Sequence, residues 1–195
     1  MPSLKKSIQE NIKIKKLLLQ QKKIIFKIIN QIYFTLNNKG KVLTCGNGGS
    51  AADAQHLAAE FMVRLRPNIN RAPLPVISLA LDSSTITACA NDIGFEKIFS
   101  RNLQAIGSYG DLLLCISTSG NSKNIIEVLK MSKKMKIPSI CFLGNNGGLA
   151  KNLSNVSLIV PSKNVARIQE AHIFLGHYIF EQVENKIINK NYIFK

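Results

Sequence analysis

Along the first forty residues, apolar positions return at helical spacing. Leu4, Ile8 and Ile12, then Leu19, Ile25, Ile29, Ile32 and Leu36, form one stripe, and the run Asn37-Asn38-Lys39-Gly40 ends it. This pattern predicts one amphipathic helix, or a pair, over 4–36 with the stripe facing a core. Ile14, Leu17, Ile24 and Ile28 fall on other faces, which predicts a second burial surface and hence a subunit contact.

After Gly40 the period changes. Short, nearly continuous apolar runs at 41–45, 76–80, 111–117, 139–143 and 156–160 read as strands. Between them, 51–63, 85–90, 95–107, 121–134, a short turn at 149–153 and 165–186 read as helices. Strands this apolar, alternating with helices, predict an α/β fold: a doubly wound, five-stranded parallel sheet flanked by helices. Pro67, Pro73 and Pro75 mark a loop and not a boundary, and no internal repeat is visible. The expected organisation is a single domain over 1–195, with a helical arm at 1–39 and the α/β core and C-terminal helix at 40–186.

Composition narrows the class. With 46% hydrophobic residues over 195 positions, the chain is neither a disordered tail nor collagen-like. No apolar run approaches the roughly 18 residues that span a bilayer. The start, Met1-Pro2-Ser3-Leu4-Lys5-Lys6, leads into a charged helical pattern unlike a signal peptide, so a cytoplasmic protein is expected. Cys45, Cys89, Cys115 and Cys141 form no C-x-x-C pair and read as small core residues, not a disulfide framework or a zinc ribbon. The net charge of +15 comes largely from Lys5, Lys6, Lys13, Lys15, Lys16, Lys22, Lys23, Lys27, Lys39 and Lys41. That stretch holds no arginine and few aromatics to read or stack on bases, so it predicts a solvated helix face and not a nucleic-acid interface. Its field would also attract phosphorylated substrates.

In a doubly wound sheet, ligands sit beyond the carboxyl ends of the strands. The loop Ser117-Thr118-Ser119-Gly120-Asn121-Ser122 joins a strand to a helix there. One hydroxyl would cap that helix, yet this loop carries four, and the surplus suits a phosphate monoester at a helix N-terminus. The nucleotide pattern G-x-x-x-x-G-K-[ST] is absent. Cys45-Gly46-Asn47-Gly48-Gly49-Ser50 repeats the design, with glycines for close approach and Ser50 placed to cap the next helix. His56 and Glu60 share a helix face, which fits an ordinary surface pair as well as a functional one. Gln169 and His177 stand about 12 Å apart along a helix and about 80° around it, close enough for two long side chains to converge on one ion. His172 is offset and reads as structural.

These strings, with Asp53-Ala54-Gln55-His56 through Glu60, Asn91-Asp92-Ile93-Gly94-Phe95 and Ala166-Arg167-Ile168-Gln169-Glu170, resemble the sugar-isomerase (SIS) domain family. Within it they are similar to the sedoheptulose 7-phosphate isomerases, from about Gly40 to Glu184. The resemblance implies conversion of sedoheptulose 7-phosphate, through a cis-enediol, to D-glycero-D-manno-heptose 7-phosphate, on the route to ADP-heptose and lipopolysaccharide core. It implies a homotetramer with sites at subunit interfaces and one zinc ion per subunit. The implied metal ligands are His56, Glu60, Gln169 and His177. The implied substrate contacts are Asn47, Gly48, Gly49, Ser50, Glu60, Asn91, Asp92, Ser117, Thr118, Ser119, Ser122 and Gln169. Glu60 is the implied base and His177 the acid. Some relatives place an aspartate where this chain has Ala166, so any acid role there is vacant. The rival is a non-enzymatic SIS protein that binds the replication initiator; it shares several strings but lacks the equivalents of Glu60 and His177.

Overall fold

A computed structural model describes residues 3–189; residues 1–2 and 190–195, the two ends of the expected single-domain span, lie outside it. Its five strands are all parallel: β1 (Val42–Gly46), β2 (Val76–Ser78), β3 (Leu112–Ser117), β4 (Ser139–Gly144) and β5 (Val156–Val160). Their order is β2-β1-β3-β4-β5. The three inner strands are buried along their whole length, as strands covered on both faces must be. The edge strand β5 alternates buried with half-buried positions.

Successive strand residues point to opposite faces, and the helices divide accordingly. Leu112, Leu114 and Ile116 face the core made with α1 (Leu4–Leu18), α2 (Lys22–Asn37), α3 (Gly49–Met62) and α8 (Val165–Ile188). Leu113 and Cys115 face the core made with α4 (Ser83–Asp92), α5 (Ile98–Ile106), α6 (Lys123–Lys134) and α7 (Ala150–Leu153). Cys45, Cys115 and Cys141 stand in register on β1, β3 and β4. All four cysteines are free and buried, and burial pushes the Cys115 thiol well up, so it stays uncharged core.

The arm differs from the expectation in phase. A 3₁₀ turn at Leu19–Gln21 splits it into α1 and α2. On α1 the buried residues are Ile14 and Leu18, whereas Leu4, Ile8 and Ile12 are 78%, 51% and 49% exposed. The expected core stripe of α1 therefore faces outward, because α1 packs on α8 through its other side and the turn resets the phase before α2. Gln21 explains the break. Its amide donates to Ile159 O at 2.6 Å and accepts from Ile159 N at 3.1 Å, taking the place of a sixth strand at the free edge of β5. Smaller differences have local causes. Lys41 is held outside β1 by Asp111, which accepts from its backbone N and its ammonium. Ser78 Oγ accepts from Ala80 N and turns the chain two residues before the expected end of β2. Among the described residues, no helix is long and apolar enough to cross a membrane.

Candidate active site

The strand order changes direction between β1 and β3, and in such sheets the crevice opens at the carboxyl ends of those two strands. Both glycine- and hydroxyl-rich loops leave from there. After β1, Gly48 takes φ 54° and is the N-cap of α3, a conformation natural only to glycine. Ser50, expected to cap this helix, instead lies buried in its first turn with its N–H donating to Asn47 O at 3.0 Å. The left-handed turn at Gly48 already occupies the capping position. Asn47 is fixed by a residue the sequence reading missed: Asn124, buried at the start of α6, exchanges amide hydrogen bonds with it in both directions at 2.8 Å.

After β3, Ser117 Oγ accepts from Gly120 N at 3.1 Å and Ser119 Oγ accepts from Asn121 N at 3.2 Å. Thr118 is half-buried beside them. Ser122 is the N-cap of α6, yet its hydroxyl makes no capping bond. The loop is braced from β4's side. Ala150 N donates to Gly120 O, Leu149 N donates to Asn121 Oδ1, and a β-carbon on Gly120 would stand 2.1 Å from Gly147 O. Unspent hydroxyls at the positive end of α6 can receive an anion.

The third component lies between α3 and α8. Gly176 lets the helices close up, since a β-carbon there would stand 2.7 Å from the Leu57 methyls. Next to Leu57 and Gly176 in sequence, His56 Nε2 and His177 Nε2 are 2.8 Å apart, with the rings edge to face. Glu60 Oε1 is 3.4 Å from His56 Nε2. One donor atom from each of His56, Glu60 and His177 lies within 4.8 Å of the other two. Burial lowers the pKa of His177, with His56 adding to that effect and Glu60 opposing it. A tetrahedral ion with ligands at 2.0–2.2 Å places neighbouring donor atoms about 3.3 Å apart. The His–Glu spacing matches that edge and the His–His spacing needs a small opening, so two imidazoles and a carboxylate fit zinc with a position to spare.

Gln169 packs its amide on Gly49, where a β-carbon would meet Nε2 at 2.4 Å, at the N-terminal ends of both helices. Asn91 Nδ2 donates to Asp92 Oδ1 at 2.8 Å on the exposed end of α4, and among the described residues no hydrogen bond joins them to either loop. His172 is structural: it is fully buried, and Nε2–H donates to Leu143 O at 3.1 Å. Asp53, one turn before His56, keeps Oδ2 buried without a partner. Burial pushes its carboxyl up to about 6, against the pull of His56.

The SIS domain model matches residues 9–144. The phosphoheptose isomerase of Chlorobaculum parvum is 48% identical over 163 residues, covering 83% of this chain and 78% of that protein. The chain belongs to the phosphoheptose isomerase family. The phosphoheptose isomerase of Helicobacter pylori strain P12 is 42% identical over 178 residues, covering 91% of this chain and 92% of that protein. Solved phosphoheptose isomerases share the fold. That of Francisella tularensis aligns with a TM-score of 0.85 at 36% identity, over 92% of this chain and 93% of the other. That of Neisseria gonorrhoeae aligns at 0.82 and 38% identity with the same coverage.

Proposed function

We propose that this protein interconverts sedoheptulose 7-phosphate and D-glycero-D-manno-heptose 7-phosphate in the cytoplasm, feeding ADP-heptose and lipopolysaccharide core synthesis. The observation that carries the reading is the meeting of two imidazoles and a carboxylate from α3 and α8 in a member of this family. Such a set is what a proton-shuffling isomerase needs and what a protein that only binds the replication initiator does not.

In this reading the phosphate sits among Ser117, Thr118, Ser119 and Ser122 at the N-terminus of α6, where hydroxyls and free N–H groups meet its charge. Asn47, Gly48, Gly49 and Ser50 hold the sugar chain, with Asn91, Asp92 and Gln169 completing the contacts. Glu60 takes a proton from C1 of the ketose and returns it to C2 of the cis-enediol. His177 gives a proton to the carbonyl oxygen on C2 and takes one from the hydroxyl on C1, so both residues end as they began. His56, Glu60 and His177, with Gln169 as the fourth ligand, would hold one zinc ion. Bound there, zinc would polarise the oxygens on the two reacting carbons. Holding the ion by one carboxylate oxygen leaves Glu60 its other oxygen as a proton acceptor.

The working form in this proposal is a homotetramer of single-domain subunits, 1–195, with active sites at their interfaces. The outward-facing Leu4, Ile8 and Ile12 and the exposed Ile93 and Phe95 support it, as apolar surface that a neighbour would cover. The direct test is to give the purified protein sedoheptulose 7-phosphate and follow the sugar by NMR. The aldose 7-phosphate is expected; a folded protein that forms none rejects the reading.

A further inference from the structure

The proposed mechanism has no use for Glu184, although its side chain is 0% exposed. A buried carboxylate is costly unless its charge is met, and here two guanidinium groups meet it. Arg66 Nε donates to Glu184 Oε2 at 2.7 Å, and Arg71 Nε donates to Oε1 at 2.6 Å. Glu184 stands seven residues beyond His177, two turns along the same side of α8. Arg71, itself only 4% exposed, continues the connection to the other helix. Its Nη2 donates to Glu60 O and its Nη1 to Phe61 O, both at 2.9 Å. These carbonyls belong to the last turn of α3, whose negative end favours a cation, and Phe61 O also accepts from Leu74 N at 3.1 Å. The Phe61 and Phe180 rings, 4.1 Å apart, pack between the same two helices.

The two helices are therefore pinned at three levels. Gln169 lies on Gly49 at the start, Leu57 on Gly176 in the middle, and Glu184 reaches the backbone of Glu60 through Arg71 at the far end. Resting on the catalytic reading of His56, Glu60 and His177, we infer that Arg71 and Glu184 are positioning residues. They clamp the end of α3 to α8 and so set where Glu60 and His56 stand relative to His177. Neither touches the reacting atoms.

The test compares Glu184→Gln and Arg71→Lys with Asp111→Asn, which breaks the buried Lys41–Asp111 pair at the starts of β1 and β3, the opposite ends of those strands from the site loops. Arg71→Lys keeps the charge and serves should Glu184→Gln not fold. Three quantities are read: zinc affinity by competition with a chelating dye, kcat and KM below the melting temperature, and imidazole ¹⁵N shifts of the metal-free protein. Both clamp variants are expected to weaken zinc binding by about tenfold or more, to lower kcat more than they raise KM, and to move the His56 and His177 signals. Asp111→Asn is expected to lower the melting temperature and do none of these. Clamp variants that merely melt earlier, with zinc affinity, kcat and imidazole signals unchanged, overturn the inference. If the unmodified protein neither isomerises the sugar nor binds zinc, the proposed function fails. The imidazole shifts then still decide the clamp: moved signals uphold it and unmoved ones reject it.

Discussion

Asn47 and Asn124 bind each other twice through their side-chain amides, at 2.8 Å in each direction. The pair ties the glycine turn after β1 to the first turn of α6, and so sets that turn against the hydroxyl-rich loop that leads into α6. Asn124→Ala should leave both the nitrogen and the oxygen of the Asn47 amide without their partner and the side chain free to swing. Losing such bonds costs roughly 1 kcal/mol each, so KM is expected to rise by up to about thirtyfold with kcat little changed. In a double-mutant cycle, Asn47→Ala with Asn124→Ala should be no worse than Asn47→Ala alone. Additive losses would mean that Asn124 acts by some other route.

Glu60→Gln and His177→Gln remove the proposed base and acid while keeping size and polarity. Each should reduce kcat by roughly 10²–10⁴-fold, the usual worth of a positioned acid or base, with assembly and melting temperature preserved. Full activity in either variant would remove that residue from the mechanism.

Zinc makes a separate claim. Dialysis against a chelator should strip about one ion per subunit, abolish turnover and leave the circular dichroism spectrum intact, with activity returning on adding zinc. A protein that works at full rate with no metal by elemental analysis would show the ion to be dispensable.

His172 predicts an acid-labile core. Burial lowers its pKa from 6.5 to about 4, so the unfolded chain binds a proton before the folded one does. Its contribution to stability is complete above pH 6.5 and is lost as pH falls towards 4, on the order of 3 kcal/mol in all. Asp53, with its folded pKa raised to about 6, acts in the opposite direction over much of that window. The clean measurement is therefore the difference between wild type and His172→Gln in urea unfolding from pH 7 to pH 4. The variant should lose less stability on acidification; identical slopes would place the acid sensitivity elsewhere.

The sheet was legible because its strands are buried on both faces and so print as unbroken apolar runs. Val156–Val160 was read to the residue; Asp111 and Ser78 divert the start of β1 and the end of β2, and β1 and β4 each run one glycine further than expected. The two loops were equally plain, since four hydroxyls around Gly120 exceed what one helix cap requires. Three features were not legible because each depends on a partner distant in sequence. The break at Leu19–Gln21 has no glycine or proline and exists to serve Ile159. Asn124 looks like any polar residue opening a helix until Asn47 is placed beside it. The packing of the Gln169 amide on Gly49 depends on α3 running alongside α8, which neither stretch announces by itself.

The parallel run of α3 beside α8 also limits how related chains can change length. Adding one residue within either helix would advance everything after it by about 1.5 Å and turn it by about 100°, carrying a histidine away from its counterpart. Insertions and deletions should therefore be nearly forbidden between Gly49 and Glu60 or between Gln169 and His177.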